Sequence, residues 1–555
     1  MPRTVTHAVR STDTTVEPLH LEGVVPYPAD LAQEYRRHGW WQDQTFSEML
    51  FDTIQRTPDR TALIAGESAL TYAELGERVL RIAAGFQAMG ITRGDRVVVQ
   101  LPNLREYIPL LFGLYEIGAI PVLALAAHQR HEISHFVELA GACAYLTVES
   151  YDGVDLGSLA KELTESVDSL DHAVVLTADG QGQALRDLLA HEPLTHERRS
   201  LPEDVAFLQL SGGTTGTSKL IPHTHEAYLG SMRGAVRVGG TTEASVQLVV
   251  LPMPHALAMR SPGFLGALSV GATVVLAPDA SPDSAFPLVE EHRVTELALV
   301  PPLALAWLNS SLRTGYDLSS MQILRVGGAA FGPGPAARVR PELGATLQQS
   351  YGMAEGLHTF TALDEDDAII TTRQGRPPSA ADEIRIVDEH ECPVPAGQPG
   401  QLLTRGPYTV RGYYRAPQHN AQAFTADGFY RVGDLVTQDD NGYLSVVGRV
   451  KDQINRGGEK VAPLEVENLL VDHPDVHDAS VIGVPDERLG EHVKAFLVPR
   501  RGVEPSTLTV AVMRAYLRER GLAPYKLPDQ VEVVTHFPRT VAGKVSKRDQ
   551  RTQKA

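Results

Sequence analysis

The sequence predicts a large α/β N-terminal domain followed by a smaller α+β C-terminal domain, and three observations carry that reading. Up to about residue 380, amphipathic helical segments alternate with short apolar runs rich in β-branched residues. From there to 449 the runs shorten and Gly/Pro turns multiply. After "GRVKDQ" the order becomes helix, strand, strand, helix, strand.

In "TYAELGERVLRIAAGFQAMG" (71–90), Leu75, Val79, Ile82 and Phe86 share one helical face. Thr71 and Glu74 form a capping box at its start, and Gly90 closes it. "DRVVVQLPN" follows as a strand, then a helix over 104–117, then a strand in "AIPVLAL". "ACAYLTV", "HAVVLTA", "VAFLQLS", "ATVVLAP", "ELALVPP" and "QILRVGG" suit strands of largely parallel sheets covered by helices. "EIRIVDEHECPVPAGQPGQLLTRGP" and "DGFYRVGDLVTQDDNGYLSVVGR" read as a small β-barrel-like subdomain. Beyond it come a helix with Pro463 in its first turn, strands in "ASVIGV" and "VKAFLVP", a helix in "STLTVAVMRAYLRERG" and a strand in "QVEVVTHF". Residues 1–22 are polar and lack an apolar h-region, so they read as a disordered lead-in and not a secretory signal. The domain expectation is therefore 23–449 for the core, 450–453 for a charged hinge and 454–555 for the C-terminal domain.

A 555-residue chain exceeds one hydrophobic core, and about 150 residues per domain gives three or four structural units. No run of about 18 apolar residues offers a membrane span. Fifty basic against sixty-eight acidic residues leave a charge of −18, which opposes nucleic acid and anionic membranes as partners. Cys143 and Cys392 form no CxxC pair, so neither a disulfide framework nor a zinc site is indicated; buried thiols in a reducing, cytoplasmic setting are expected.

The strongest local signal is "LQLSGGTTGTSKLIPHTH". A strand ending near Leu210 delivers Ser211, Gly212, Gly213, Thr214, Thr215, Gly216, Thr217, Ser218 and Lys219. Glycines allow close backbone approach, while amides, hydroxyls and a lysine are what phosphate oxygens require. The order differs from a Walker A loop, because Lys219 follows Ser218 and not a glycine.

With "QQSYGMAEG" (348–356), "GFYRVGDL" (428–435), "GRVKDQINRGGEKV" (448–461) and "PRTVAGKVSK" (538–547), this loop resembles the ordered motif set of the acyl-adenylate-forming superfamily. "VPYPADLAQEYRRHGWW" and "LLTRGPYTVRGYY" resemble its stand-alone aryl-acid AMP ligases, the 2,3-dihydroxybenzoate-AMP ligases among them. The resemblance implies an adenylate-forming fold, with two α/β subdomains and the small β unit in the core and a mobile C-terminal domain. It implies ATP and Mg2+, an aromatic carboxylic acid, and an aryl carrier protein with a phosphopantetheine arm, or coenzyme A, as acyl acceptor. Catalytic roles fall on Lys544, His255, Thr214 and the magnesium-linked Glu355. Tyr351 and Gly352 would lie on adenine, Asp434 and Arg449 on ribose, and Gly327, Gly328 and Ala329 in a turn beside adenine and the acyl ring. Lys451 and Asp452 would hinge the C-terminal domain, and Gly457, Gly458 and Lys460 would replace Lys544 during thiolation. A monomer or homodimer is expected.

In "LPMPHALAMRSPG" (251–263), the resemblance puts His255 at the junction of acyl and phosphate sites. Dihydroxybenzoate ligases follow that histidine with an asparagine that bonds the ortho-hydroxyl; here Ala256 and Leu257 follow it. A site built around a hydrogen bond discriminates by about 10⁴–10⁵ against analogues lacking the group. 2,3-Dihydroxybenzoate is therefore not the expected preferred acid. Ser261, Ser350 and Leu357 are expected to complete the pocket, and Arg260 to face solvent in support of the loop. Three other readings remain at this point: an aryl-CoA ligase, a P-loop phosphotransferase and a catalytically silent binding homologue.

Overall fold

In the computed structural model, residues 16–211, 218–456, 459–486, 488–539 and 545–552 are described. Helix Tyr72–Ala88 starts on the predicted capping box, with Thr71 N–H donating to Glu74 Oε2 at 2.8 Å. Its apolar face packs against helix Tyr107–Glu116, all ten residues of which are buried. A helix that is apolar all round belongs inside a large core. One continuous apolar cluster runs from it through both α/β subdomains.

Two charged groups bound this buried helix. Glu106, at its N-terminus, accepts two bonds from Arg78 at 2.7 and 2.8 Å, and its charge suits the positive end of the helix dipole. Glu116 opposes the dipole at the other end and is held by Arg199 at 2.6 Å and His196 at 2.9 Å.

Two sheets make up the α/β part. The first has six strands in the order Leu220–Thr224, Val205–Leu210, Ile120–Ala124, Arg96–Gln100, Ala144–Val148, His172–Leu176, parallel except for the first. The second has eight, in the order His358–Phe360, Thr346–Gly352, Ile323–Val326, Glu296–Leu299, Val246–Val249, Thr273–Leu276, Thr61–Ala65, Ser68–Thr71. Its six inner strands are parallel and its two edge strands antiparallel. Side chains from three adjacent strands of this sheet meet beneath the carboxyl ends: Arg325 reaches Glu296 Oε2 at 2.6 Å and Gln348 Oε1 at 3.0 Å. Arg325 also donates to Gly239 O at 2.7 Å, which joins helix His225–Gly239 to the sheet.

The third unit consists of strands Glu383–Val387, Gly400–Arg405, Tyr430–Gln438 and Leu444–Arg449, paired antiparallel in sequential order. Among the described residues it is an open meander, and the barrel-like closure expected from the sequence is not made by strand pairing. The turn Val450–Asp452 leads into the C-terminal unit. There, five strands and helices Pro463–Val471 and Val510–Glu519 enclose a separate apolar cluster. Asp452 pairs with Arg551 at 3.3 Å, which ties the turn to this unit.

Two expectations are corrected. Leu19 and Leu21 pack on the main core and Leu19 N–H donates to Asp204 Oδ1 at 2.9 Å, so residues 16–22 are part of the folded domain. Residues 1–15 lie outside the described part. Cys143 is half-buried and Cys392 is exposed, because the second sits in a polar Gly/Pro turn and not on a packed strand. Among the described residues no helix is long and apolar enough to cross a membrane.

The Arg325–Glu296 pair is fully buried. Breaking such a pair leaves an uncompensated charge, so Arg325→Met should lower stability by about 3–5 kcal/mol. Arg325→Met combined with Glu296→Leu should recover more than half of that loss in urea denaturation, because no unpaired charge then remains. A double variant as unstable as the single one would show that the hydrogen bonds to Gly239 and Gln348, and not the ion pair, carry the effect.

Candidate active site

Strands Val205–Leu210 and Leu220–Thr224, on either side of the Gly/Thr-rich segment, are antiparallel neighbours. Ser211 and Lys219 close the segment: Ser211 N–H donates to Lys219 O, and Lys219 N–H to Ser211 Oγ, both at 2.9 Å. A P-loop needs a strand before and a helix directly after the phosphate turn; here a strand stands on each side, which removes the phosphotransferase reading. Gly212, Gly213, Thr214, Thr215, Gly216 and Thr217 lie outside the described residues, as do Gly457, Gly458 and Lys544.

At the carboxyl end of the larger sheet, strand Thr346–Gly352 turns back as His358–Phe360, with Ser350 opposite Phe360, Tyr351 opposite Thr359 and Gly352 opposite His358. Side chains alternate between faces along a strand, and directly opposed residues share a face. Tyr351 therefore points one way, and Ser350 and His358 the other.

On the Tyr351 side, its hydroxyl donates to Asp434 Oδ2 at 2.7 Å. Arg449, the cross-strand partner of Asp434, brings Nε to 2.9 Å from Oδ1. Asp434 is buried, and its Oδ1 accepts no hydrogen bond. Such an acceptor, beside an aromatic ring and a guanidinium, suits a donor such as a ribose hydroxyl. Burial and the Asp434 charge push the Tyr351 hydroxyl well up, so it stays a donor.

Glu355 lies in the turn between the two strands and is buried. Tyr413 donates to its Oε1 at 2.7 Å, and the Tyr430 hydroxyl lies 3.0 Å from that of Tyr413. Burial first, then the Glu355 charge, raises both phenols, which keeps them protonated around the carboxylate. Lys219 Nζ stands 5.9 Å from the centre of the Tyr413 ring, which brings the end of the Gly/Thr-rich segment to the same place. Among the described residues there is no cluster of three or more metal-binding side chains. A lone hard carboxylate fits Mg2+ shared with phosphate oxygens, and does not fit an all-protein cage.

On the other face, a Cβ at Gly327 would come within 2.3 Å of Ser350 Oγ and 3.4 Å of Leu257 Cδ1, so these three residues converge. Gly328, at φ +83°, turns the chain away after strand Ile323–Val326, and Ala329 is exposed. His255 caps the short helix Ala256–Arg260; its Nδ1 accepts from Leu257 N–H at 3.3 Å, which leaves the proton of the neutral ring on Nε2. Ser261 Oγ lies 3.1 Å from His358 Nε2. His358 Nδ1 is buried with no partner. Burial first, then the Arg260 and Arg325 charges, hold this imidazole well below the usual histidine range, so it is neutral. A Cβ at Gly352 would sit 3.0 Å from its ring, so the glycine also makes room for His358.

Two sequence expectations change here. Leu357 has no exposed surface and packs with Leu402, Val436 and Leu444 in the core of the small sheet; strand alternation puts His358 where Leu357 was expected. The alternation after "YGMAEG" was the available signal. Arg260 is 2% exposed instead of facing solvent. It donates to Ser231 Oγ at 2.6 Å and to Met353 O and Gly356 O, both at 2.9 Å, beneath the Tyr228 ring. Its long apolar stem and five donors suit a buried carbonyl cluster, which periodicity over five residues of helix does not reveal. Lys451, Asp452 and Lys460 lie on the C-terminal side of the site, Lys460 exposed on strand Glu459–Val461.

Sequence-family models described as "AMP-binding enzyme" and "AMP-binding enzyme C-terminal domain" match residues 50–414 and 465–544. The chain is 49% identical to the 2,3-dihydroxybenzoate-AMP ligase of Bacillus subtilis over 95% of its own length and 97% of that protein. It is 41% identical to the salicyl-AMP ligase / salicyl-S-ArCP synthetase of Mycobacterium tuberculosis, over 95% and 94%. The solved apo structure of MbtA from Mycobacterium smegmatis is 40% identical and superposes with a TM-score of 0.73 over 96% of this chain and 99% of that one. The chain therefore belongs to the AMP-binding enzyme family, the acyl-adenylate-forming superfamily whose ordered motifs it carries.

Proposed function

We propose that the protein is an aryl-acid AMP ligase: it joins an aromatic carboxylate to the α-phosphate of ATP, releasing pyrophosphate, and passes the acyl group to a carrier-protein thiol. The observation that carries this is the two-faced hairpin, which holds a nucleotide-type site on one side and an acyl-type pocket on the other within one turn of chain. The carboxylate must be aimed at the α-phosphate, and additional negative charge must be stabilised in flight. Asp434, Tyr351 and Arg449 bind and orient the nucleoside, and Lys219 brings a cation to the phosphate loop. Glu355, held by Tyr413, would take Mg2+ together with phosphate oxygens. Bound there, the ion supplies charge neutralisation at the phosphates.

His255 orients the carboxylate at the mouth of the pocket, its ring held by the bond that Nδ1 accepts from Leu257 N–H. Lys544 bridges carboxylate and α-phosphate in this reading, with Thr214 on the phosphates. Rotation about Lys451 and Asp452 then brings the 457–460 loop to the adenylate for thiol attack. The carrier-protein thiol is favoured over coenzyme A as acceptor by the relative named for carrier loading.

The pocket reading deepens what the sequence suggested. Ala256 provides no amide, and Ser261 is already engaged by His358, a neutral imidazole with one nitrogen unsatisfied. A heteroaromatic or singly hydroxylated acid, such as a hydroxypicolinate, a quinaldate or a salicylate-like acid, suits these walls better than 2,3-dihydroxybenzoate.

Acid-dependent pyrophosphate exchange across a panel of aryl acids is the test of the reaction and of the acid. One or more heteroaromatic or singly hydroxylated acids should exceed 2,3-dihydroxybenzoate in kcat/KM; the reverse order would overturn the substrate assignment. Ala256→Asn should raise the relative kcat/KM for 2,3-dihydroxybenzoate by about 10–100-fold, the worth of one well-placed hydrogen bond. Asp434→Ala should lower kcat/KM for ATP by about 10–100-fold, since hydrogen bonds to a charged group contribute about 1.5–3 kcal/mol. Unchanged ATP kinetics in that variant would remove Asp434 from the nucleotide site.

A further inference from the structure

Arg260 stands where the acyl side and the glutamate turn meet, and neither the reaction nor the pocket accounts for it. It ends helix Ala256–Arg260, which starts directly after His255 and carries Ala256 and Leu257 in its first turn. One of its terminal nitrogens bonds the carbonyls of Met353 and Gly356, the residues that bracket Ala354 and Glu355. The other bonds Ser231 in the middle of helix His225–Gly239. The next residue, Ser261, bonds His358 just beyond the same turn. Two consecutive residues thus fasten the glutamate turn at Met353, Gly356 and His358.

The guanidinium is buried and, among the described residues, pairs with no carboxylate at ion-pair distance. A buried cation without a counter-charge is costly unless its hydrogen bonds are needed. Both terminal nitrogens bond the protein, while Nε is buried without a hydrogen-bond partner, so the fork is aimed at the Met353–Gly356 turn and at Ser231. Gly356 tightens the turn further: a Cβ there would come within 2.5 Å of Thr409 Cα, so the segment has no slack on its far side. The Glu355 carbonyl accepts from Val410 N–H at 2.8 Å, while the Arg260 bonds and the Ser261–His358 contact hold the turn from the acyl side.

We propose that Arg260 is a positioning residue for Glu355: from the acyl side it fixes the Met353–Gly356 turn, so that the carboxylate is held ready for a divalent metal carried in with the ATP phosphates. The proposal rests on the adenylation reading for the role of Glu355. Its consequence is a split in which disturbing Arg260 acts on the metal–nucleotide side of the reaction although the residue belongs to the acyl-pocket helix.

The test uses the full-length protein and the variants Arg260→Met and Arg260→Lys. Binding is read without turnover: Mn2+·ATP affinity by electron paramagnetic resonance, and AMP affinity, which needs no metal, by calorimetry. Misplacement of a catalytic group by about 1 Å costs up to about 10²-fold. Arg260→Met should therefore weaken Mn2+·ATP about tenfold or more and raise KM for ATP and the Mg2+ requirement in parallel, with AMP affinity and KM for the aryl acid within about twofold. Arg260→Lys keeps the charge but has one terminal nitrogen in place of a fork and cannot hold the two carbonyls and Ser231 together, so it should show the same split in smaller measure; it also serves if the methionine variant fails to fold. A rise in KM for the acid with Mn2+·ATP binding unchanged would overturn the proposal in favour of a substrate contact, and so would equal weakening of AMP and Mn2+·ATP, the mark of general disruption. If no aryl acid supports pyrophosphate exchange in the unmodified protein, the adenylation reading fails, while the Mn2+·ATP comparison still decides whether Arg260 positions Glu355.

Discussion

The antiparallel pair Thr346–Gly352 and His358–Phe360 turns Tyr351 to one face and Ser350 and His358 to the other, and the surrounding fold holds it in register. Because side chains alternate along a strand, Tyr351 cannot turn towards Asp434 without Ser350 and His358 turning the opposite way. A register slip of one residue would exchange the faces and destroy both sites. The parallel strands behind the pair fix its register, and Arg325 locks them from below by joining Glu296, Gln348 and helix His225–Gly239. In open α/β folds ligands bind outside the carboxyl ends of the parallel strands. Here the edge is extended by one short antiparallel strand, which supplies the second wall.

Burial governs the electrostatics of this region. Glu355 and Asp434 sit below the surface, each with a phenol donating to it. The phenols cannot ionise next to these charges, so hydrogen-bond direction is settled: tyrosine gives, carboxylate receives. His358 and the nearby His223 are both depressed by burial and by the Arg260 charge, so neither adds a proton to the acyl side near neutral pH. The only strongly buried cation in contact with the glutamate turn is then Arg260, among the described residues.

Much of the fold was legible because it depends on local rules. The Thr71/Glu74 box, Pro463 at a helix start and the apolar runs of the two parallel sheets all form as their patterns require. Tyr351, Asp434 and Arg449, which the motif resemblance assigned to the nucleotide, do converge. What escaped depends on long-range contacts. Arg260 meets Met353 and Gly356 from 93 and 96 residues away. No window centred on "ALAMR" contains those carbonyls, and charge alone favoured solvent. His358 was missed by one position because the strand's alternation begins only after the turn. The small sheet was read as barrel-like since short strands and turns do not reveal whether the first and last strands meet.

The difference in exposure between the two cysteines makes the sequence a spectroscopic tool. Burial pushes the Cys143 thiol up to about 11, so little thiolate forms there, while Cys392 is exposed in the turn between strands Glu383–Val387 and Gly400–Arg405. A maleimide dye at neutral pH would therefore modify one defined point of the small sheet without any engineering. That sheet is continuous with the chain entering the Val450–Asp452 turn, so the dye becomes a fixed origin from which the distance to the C-terminal unit could be measured.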